Sequence, residues 1–172
     1  GSVTERFIND SAKAREELDC KLDVSYGPTL AESLDIFPGE KGGPIVIFLH
    51  GGYWRILTSK EFNFVARGLV PHGATVIIPT YALCPSVSMD EIVRQHRAVV
   101  AWAYHHAEEL GADRDRIIVT GQSAGGHGVG MLLATDWENE YGLPSDIIHG
   151  ACAISGLFDL RPLPYTFIQP YL

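Results

Sequence analysis

A chain of 172 residues, 46% of them apolar, is long enough to bury one packed core and too apolar to be a wholly disordered segment. Its formal net charge of -8 leaves no basic stripe to neutralise phosphates, so nucleic acid and anionic membranes are excluded as expected partners. Three cysteines, Cys20, Cys84 and Cys152, stand far apart in neither a metal-ligand nor a disulfide pattern, which reads as small apolar side chains in a reducing cytoplasm.

A polar stretch around residues 11–18 predicts a helix, and two short strands, 22–26 and 33–37, flank Gly27-Pro28 in an antiparallel opening. Pro44 to His50 is a nearly unbroken apolar run of strand length, the pattern of a central strand buried on both faces, and it ends in Gly51-Gly52. Thr58 and Glu61 have capping-box spacing, and Phe62, Val65, Ala66 and Leu69 recur at helical intervals before Pro71 and Gly73, which predicts a helix. Residues 74–79 return to strand. Ser88 and Glu91 form a second capping-box pair, after which Ile92, His96, Val99, Ala103, Ala107 and Leu110 repeat every three or four residues up to Gly111. Residues 116–120 predict a further strand, 124–135 a helix of small residues, and 147–155 a strand that carries Cys152. Strands alternating with helices, the strands continuously apolar, specify a single α/β domain over residues 1–172: a mostly parallel central sheet with helices on both faces. No apolar stretch approaches the roughly 20 residues of a membrane span. No charged start followed by an apolar core marks a signal peptide, so a cytoplasmic protein is expected.

Gly121-Gln-Ser-Ala-Gly125 fits G-x-S-x-G in the setting that motif requires, a strand before it and a helix after it. A serine at such a turn projects its hydroxyl above the sheet edge, and Gly121 and Gly125 flank it because side chains there would collide with backbone. The helix N-terminus also favours developing negative charge. His50-Gly51-Gly52-Tyr53-Trp54 closes the buried strand, where a glycine-rich loop can aim backbone N–H groups at an oxyanion. The loop comes first and the serine later, the chain order in which donors are drawn from that loop and from the residue after the nucleophile.

With these motifs the sequence resembles the kynurenine formamidase (arylformamidase) and bacterial esterase group, near the hormone-sensitive-lipase branch of the α/β hydrolases. The likeness covers nearly the whole chain. It rests on Leu34-Asp-Ile-Phe-Pro-Gly39, His50-Gly-Gly-Tyr-Trp54, Pro79-Thr-Tyr-Ala-Leu-Cys-Pro85, Gly121-Gln-Ser-Ala-Gly-Gly-His127 and Ser155-Gly-Leu-Phe-Asp-Leu160. It implies an α/β-hydrolase fold, Ser123 as nucleophile, and an oxyanion hole from the backbone N–H groups of Gly52, Tyr53 and Ala124. His50 and Gly51 would shape the loop. Gln122 stands where relatives often carry His, at a motif position that tolerates any residue, and little consequence is expected. Trp54, Tyr81 and Phe158 either line a pocket or pack the core.

A serine hydroxyl needs a general base, and in this fold the acid and then the base follow the nucleophile in the chain. His127 lies four residues on and reads as a structural helix residue, with a base as the lesser alternative; His149 stands just before a strand. The resemblance places acid and base in two later strand-to-helix loops, beyond residue 172, so Asp159 is not taken as the triad acid. His105 and His106 project from different helix faces and do not suit a shared metal, and Asp113 and Asp115 read as turn and strand-entry residues. The strand at 147–155 would be interior in this fold and would leave an unpaired apolar edge here. The expectation is therefore an incomplete domain, lacking the C-terminal strands, whose sheet and triad are completed by a further segment or a second chain. The expected chemistry is cofactor-independent and metal-free hydrolysis of a carboxylic ester or amide, an aryl formamide in the specific case. The alternatives are a broad-specificity carboxylesterase and a ligand-binding protein that keeps the fold without a working base.

Overall fold

The computed structural model describes residues 1–171. The elements run α1 (Val3–Glu17), β1 (Lys21–Ser25), β2 (Ser33–Phe37), β3 (Gly43–Leu49), α2 (Val65–Leu69), β4 (Thr75–Pro79), α3 (Met89–His106), β5 (Ala112–Gln122), α4 (Ala124–Leu133), α5 (Trp137–Tyr141) and β6 (Gly150–Ile154). The strands form one sheet in the order β1-β2-β4-β3-β5-β6. β1 and β2 join antiparallel, and β4, β3, β5 and β6 are mutually parallel.

β3 shows why the sheet is covered on both sides. Its residues alternate between faces as any strand's must. Ile45, Ile47 and Leu49 join Ile77, Val119, Val99, Ala103, Val129 and Trp137 beneath α3, α4 and α5. Val46 and Phe48 join Phe37, Val76, Ile78, Phe62 and Ala66 beneath α1 and α2. Both sets are apolar, so the strand reads as a continuous hydrophobic run.

Several boundaries differ from the sequence expectations, each for a local reason. α1 begins at Val3 rather than near residue 11, because Ser2 Oγ accepts from the Glu5 amide (3.2 Å) and the Glu5 carboxylate accepts from the Ser2 amide (2.7 Å). The capping box at Thr58 and Glu61 forms, but it heads only a 3₁₀ turn, Ser59–Glu61. The Asn63 side chain bonds back to the Ser59 carbonyl and the Phe64 amide to Ser11 Oγ, so the helix restarts as the short α2. Ser88 caps α3 through the Glu91 amide, whereas the Glu91 carboxylate turns to Arg94 and Gln95. β5 starts four residues early, since Gly43 and Pro44 pair with Ala112 and Asp113 ahead of a bulge.

β6 is an edge strand in this structure, and Ala151 to Ile154 are exposed. Beside it an apolar groove of about 770 Å³ runs along the α1 and α2 side of the sheet, lined among others by Phe7, Phe48, Phe64, Ile118, Cys152 and Ile154. α1 is fastened near its C-terminal end, where the Arg15 guanidinium donates to the Lys60 carbonyl (3.0 Å) and Asn63 Oδ1 (2.8 Å). No helix among the described residues is long and apolar enough to cross a membrane.

Candidate active site

β5 ends at Gln122 and α4 begins at Ala124, leaving Ser123 alone in the turn with φ 56° and ψ -115°. That positive φ is unfavourable for any residue with a side chain and persists only where the surroundings impose it. Here they do. The Ser123 amide donates to the Ile154 carbonyl of β6 (2.8 Å), and its carbonyl accepts from the His127 amide (3.1 Å). A β-carbon on Gly121 would fall 2.5 Å from the Gly125 carbonyl oxygen, so the turn tolerates nothing larger than glycine. Ser123 itself is half-buried at the mouth of the turn.

The loop after β3 lies alongside. Gly52, Tyr53 and Trp54 take φ values of 120°, 52° and 59°, and the Gly52 carbonyl accepts from the amides of Arg55 and Ile56 at 3.0 and 3.2 Å. Ala124 opens α4, so its amide is among those that a helix leaves without an internal partner. Gly52, Tyr53 and Ala124 are the residues whose amides the family resemblance assigns to an oxyanion hole. Gly51 is held from the other side: a β-carbon there would sit 2.3 Å from Gln122 Oε1. The residue expected to be indifferent therefore packs its side chain end-on against the glycine loop, a contact that no spacing rule reports.

His50 is fully buried, its ring stacked on Tyr81 (centroids 4.2 Å apart) and facing Phe62 (5.5 Å). Its Nδ1 lies 2.7 Å from the Gly51 carbonyl, which can only accept, so Nδ1 carries the proton. Burial pushes its pKa down to about 4, against the raising effects of the Gly51 bond and Glu61. The ring is neutral at pH 7 and braces the loop.

The three aromatic candidates separate. Trp54 and Tyr81 are 1% exposed and pack with Cys84, Ile92 and Ala124, so both are core residues, not walls of an open pocket. Phe158 is 66% exposed and lies over Gly130 and Gly156 at the outer side of α4. None of the three lines the apolar groove beside β6. Beside α4, His96 is fully buried, and among the described residues neither of its ring nitrogens nor His127 Nδ1 has a hydrogen-bond partner. His96 had already appeared at an apolar position of the helical repeat, which was the available signal.

The other ionisable candidates fall elsewhere. His149 is exposed, and its amide donates to the carbonyl of Ile117 in the middle of β5 (2.8 Å), away from the turn that holds Ser123. Asp159 is paired with Arg161 at 2.6 Å on the surface, and that bond holds its carboxyl below the ordinary range. His106 stacks on Trp102 and bonds its carbonyl (2.8 Å), while His105 is exposed. Among the described residues no group of three or more His, Cys, Asp or Glu side chains is placed to hold a metal ion. Cys20, Cys84 and Cys152 are free thiols, half-buried, buried and exposed respectively.

A parallel sheet sheathed on both faces, a serine in the strained strand-to-helix turn and a glycine loop at the end of the neighbouring strand define the α/β-hydrolase fold. Within it the chain belongs to the BD-FAE family, whose model matches residues 34–153. It is 36% identical to the kynurenine formamidase of Danio rerio over 161 residues, which cover 91% of this chain and 53% of the relative. A crystal structure of a Silicibacter protein superposes with a TM-score of 0.85 at 31% identity, covering 98% of this chain and 62% of the other. Esterase B from Lactobacillus rhamnosis superposes with a TM-score of 0.78 at 20% identity, over 96% of this chain and 58% of the esterase, and shares the fold. The chain spans about half the length of the kynurenine formamidases it matches.

Proposed function

We propose that this chain is the nucleophile-bearing part of a serine hydrolase that cleaves a carboxylic ester or amide, with aryl formamides as the preferred class. The observation that carries the reading is Ser123, held strained in its turn beside the amides of Gly52, Tyr53 and Ala124. The Ser123 hydroxyl loses its proton to a general base and adds to the substrate carbonyl, and the three amides receive the oxyanion. Collapse expels the alcohol or amine, protonated by the same base, and leaves the acyl group on Ser123. Water then adds to the acyl-enzyme and releases the acid, formate in the case of a formamide. No cofactor enters this sequence. The likeness to kynurenine formamidases supports the formyl preference; an esterase of broad acyl range is the nearest alternative.

The general base and its acid are supplied from outside the described residues, by a further segment or a second chain that also pairs with β6. The exposed edge of β6 and the apolar groove beside it support this. The acidic net charge of -8 supports a small-molecule substrate over nucleic acid, and three free thiols support a reducing, cytoplasmic setting. The buried placement of His127 favours one rival reading, a binding protein with this fold and no working base.

Exposure of the native protein to a fluorophosphonate probe, followed by peptide mass spectrometry, tests the proposal. Labelling at Ser123, with faster turnover of an N-formyl arylamine than of the matching acetyl ester, is the expected result. An unlabelled Ser123 in protein that retains every chain overturns it and leaves the binding reading.

A further inference from the structure

Resting on the hydrolase reading above, we propose that Tyr81 is a positioning residue for the oxyanion loop, and that His96 backs it against the nucleophile helix. The Tyr81 hydroxyl donates to the His50 carbonyl at 2.5 Å, with both groups buried. That carbonyl immediately precedes Gly51, so the bond fixes the point from which the loop departs. A β-carbon on Gly125 would come within 2.8 Å of the same oxygen. The His50 carbonyl is therefore wedged between the Tyr81 hydroxyl and the first turn of α4, and its position sets the spacing between the loop amides and Ser123.

Tyr81 is itself held on two sides. Its ring stacks on the His50 imidazole at 4.2 Å and an interplanar angle of 12°. The His96 ring meets it in a T-shaped contact, with centroids 4.5 Å apart and planes at 90°. His96 in turn leans on α4, where a β-carbon at Gly128 would stand 2.5 Å from its Nδ1. A continuous path of buried contacts thus runs from α4 through His96 and Tyr81 to the start of the loop. Neither His96 nitrogen has a hydrogen-bond partner among the described residues. Its part in the path is shape, and Tyr81 holds the one directional bond. Truncating that bond leaves a buried carbonyl unsatisfied, which favours a shifted loop over the present one.

Tyr81→Phe keeps both ring contacts and removes only the hydroxyl. Three measurements on the native protein decide the proposal. Hydrogen exchange of the amides at 51–54 is expected to speed up at least about tenfold in the variant, with β5 amides unchanged. The rate constant kcat should fall about tenfold while KM stays within about twofold. Affinity for a boronic acid, which forms a tetrahedral adduct on serine, should fall by the same factor as kcat. His96→Leu, which leaves the hydroxyl in place, moves the same amides in the same direction by less, and carries the test if Tyr81→Phe does not fold.

Unchanged exchange at 51–54 overturns the proposal, and that arm needs no turnover. If the native protein neither hydrolyses esters nor labels at Ser123, the hydrolase reading fails while the exchange result still judges the loop. Faster exchange with kcat and boronate affinity intact overturns the catalytic consequence and leaves Tyr81 a core residue only.

Discussion

A β-carbon on Gly125 would stand 2.0 Å from the carbonyl oxygen of Leu49. The first turn of α4 thus lies directly on the end of β3, at the junction where the glycine loop begins. The obstructing atom is strand backbone, which has no rotamer into which to retreat. Gly125→Ala is expected to cost on the order of 3 kcal/mol, the upper end of the overpacking range. Urea denaturation measures that loss. Initial rates taken where the variant is fully folded should fall as well, because the shift needed to admit the methyl group moves Ser123 relative to the loop.

Ser123 is held at φ 56° and ψ -115°, where glycine is comfortable and serine is not. Ser123→Gly should therefore raise stability by about 1 kcal/mol while abolishing reaction with a serine probe. A raised Tm with no labelling is the expected pair of results. A Tm at or below that of the parent chain would show that the turn stores no strain.

The buried histidines make stability fall in mild acid. Burial lowers the pKa of His50 to about 4 and that of His96 to about 3, from an ordinary 6.5, and His127 is lowered for the same reason. Above pH 6.5 both folded and unfolded chains are neutral at these rings. Below it the unfolded chain takes up protons that the folded chain refuses, so stability drops as pH falls from 6.5 towards 4. Each refused proton costs about 1.4 kcal/mol per pH unit well below the unfolded pKa. Denaturation free energies between pH 7.5 and 5 should show this slope, and His96→Leu should remove about one proton from it.

Cys152 lies on the exposed strand β6, while Cys84 is buried. Maleimide should modify Cys152 of the 172-residue chain rapidly and leave Cys84 untouched in native protein. In protein that contains the proposed completing segment, pairing along β6 should slow the reaction at Cys152 by about tenfold or more. Equal rates would sink the idea that anything covers this edge.

Much of this arrangement is legible in single residues. Gly121, Ser123 and Gly125 announce a turn that only glycine neighbours permit, and the unbroken run from Ile45 to Leu49 announces a strand buried on both faces. What is not legible depends on partners distant in sequence. Trp54 and Tyr81 look alike whether they line a cavity or fill the core, and only the packing of Cys84, Ile92 and Ala124 around them decides. The turn at Thr58 carries a correct capping box, yet Ser11, far back in the chain, takes the amide that a continuing helix would have used. Gln122 occupies a free position in the motif, and its contact with Gly51 exists only because two strands end side by side. His96 sits in the helical pattern like an apolar residue, which is how the core treats it.

The helix α1 buries only Ser11 and Ala14 fully, and Arg15 fastens it to Lys60 and Asn63. Those two residues belong to the stretch by which the chain returns from the glycine loop after β3, so the helix acts as a clasp behind the candidate site. Proteolytic clipping before Lys21 would leave the nucleophile turn intact and slacken the loop from the rear. A protease acting on the N-terminus would thereby loosen the candidate site without touching a single one of its residues.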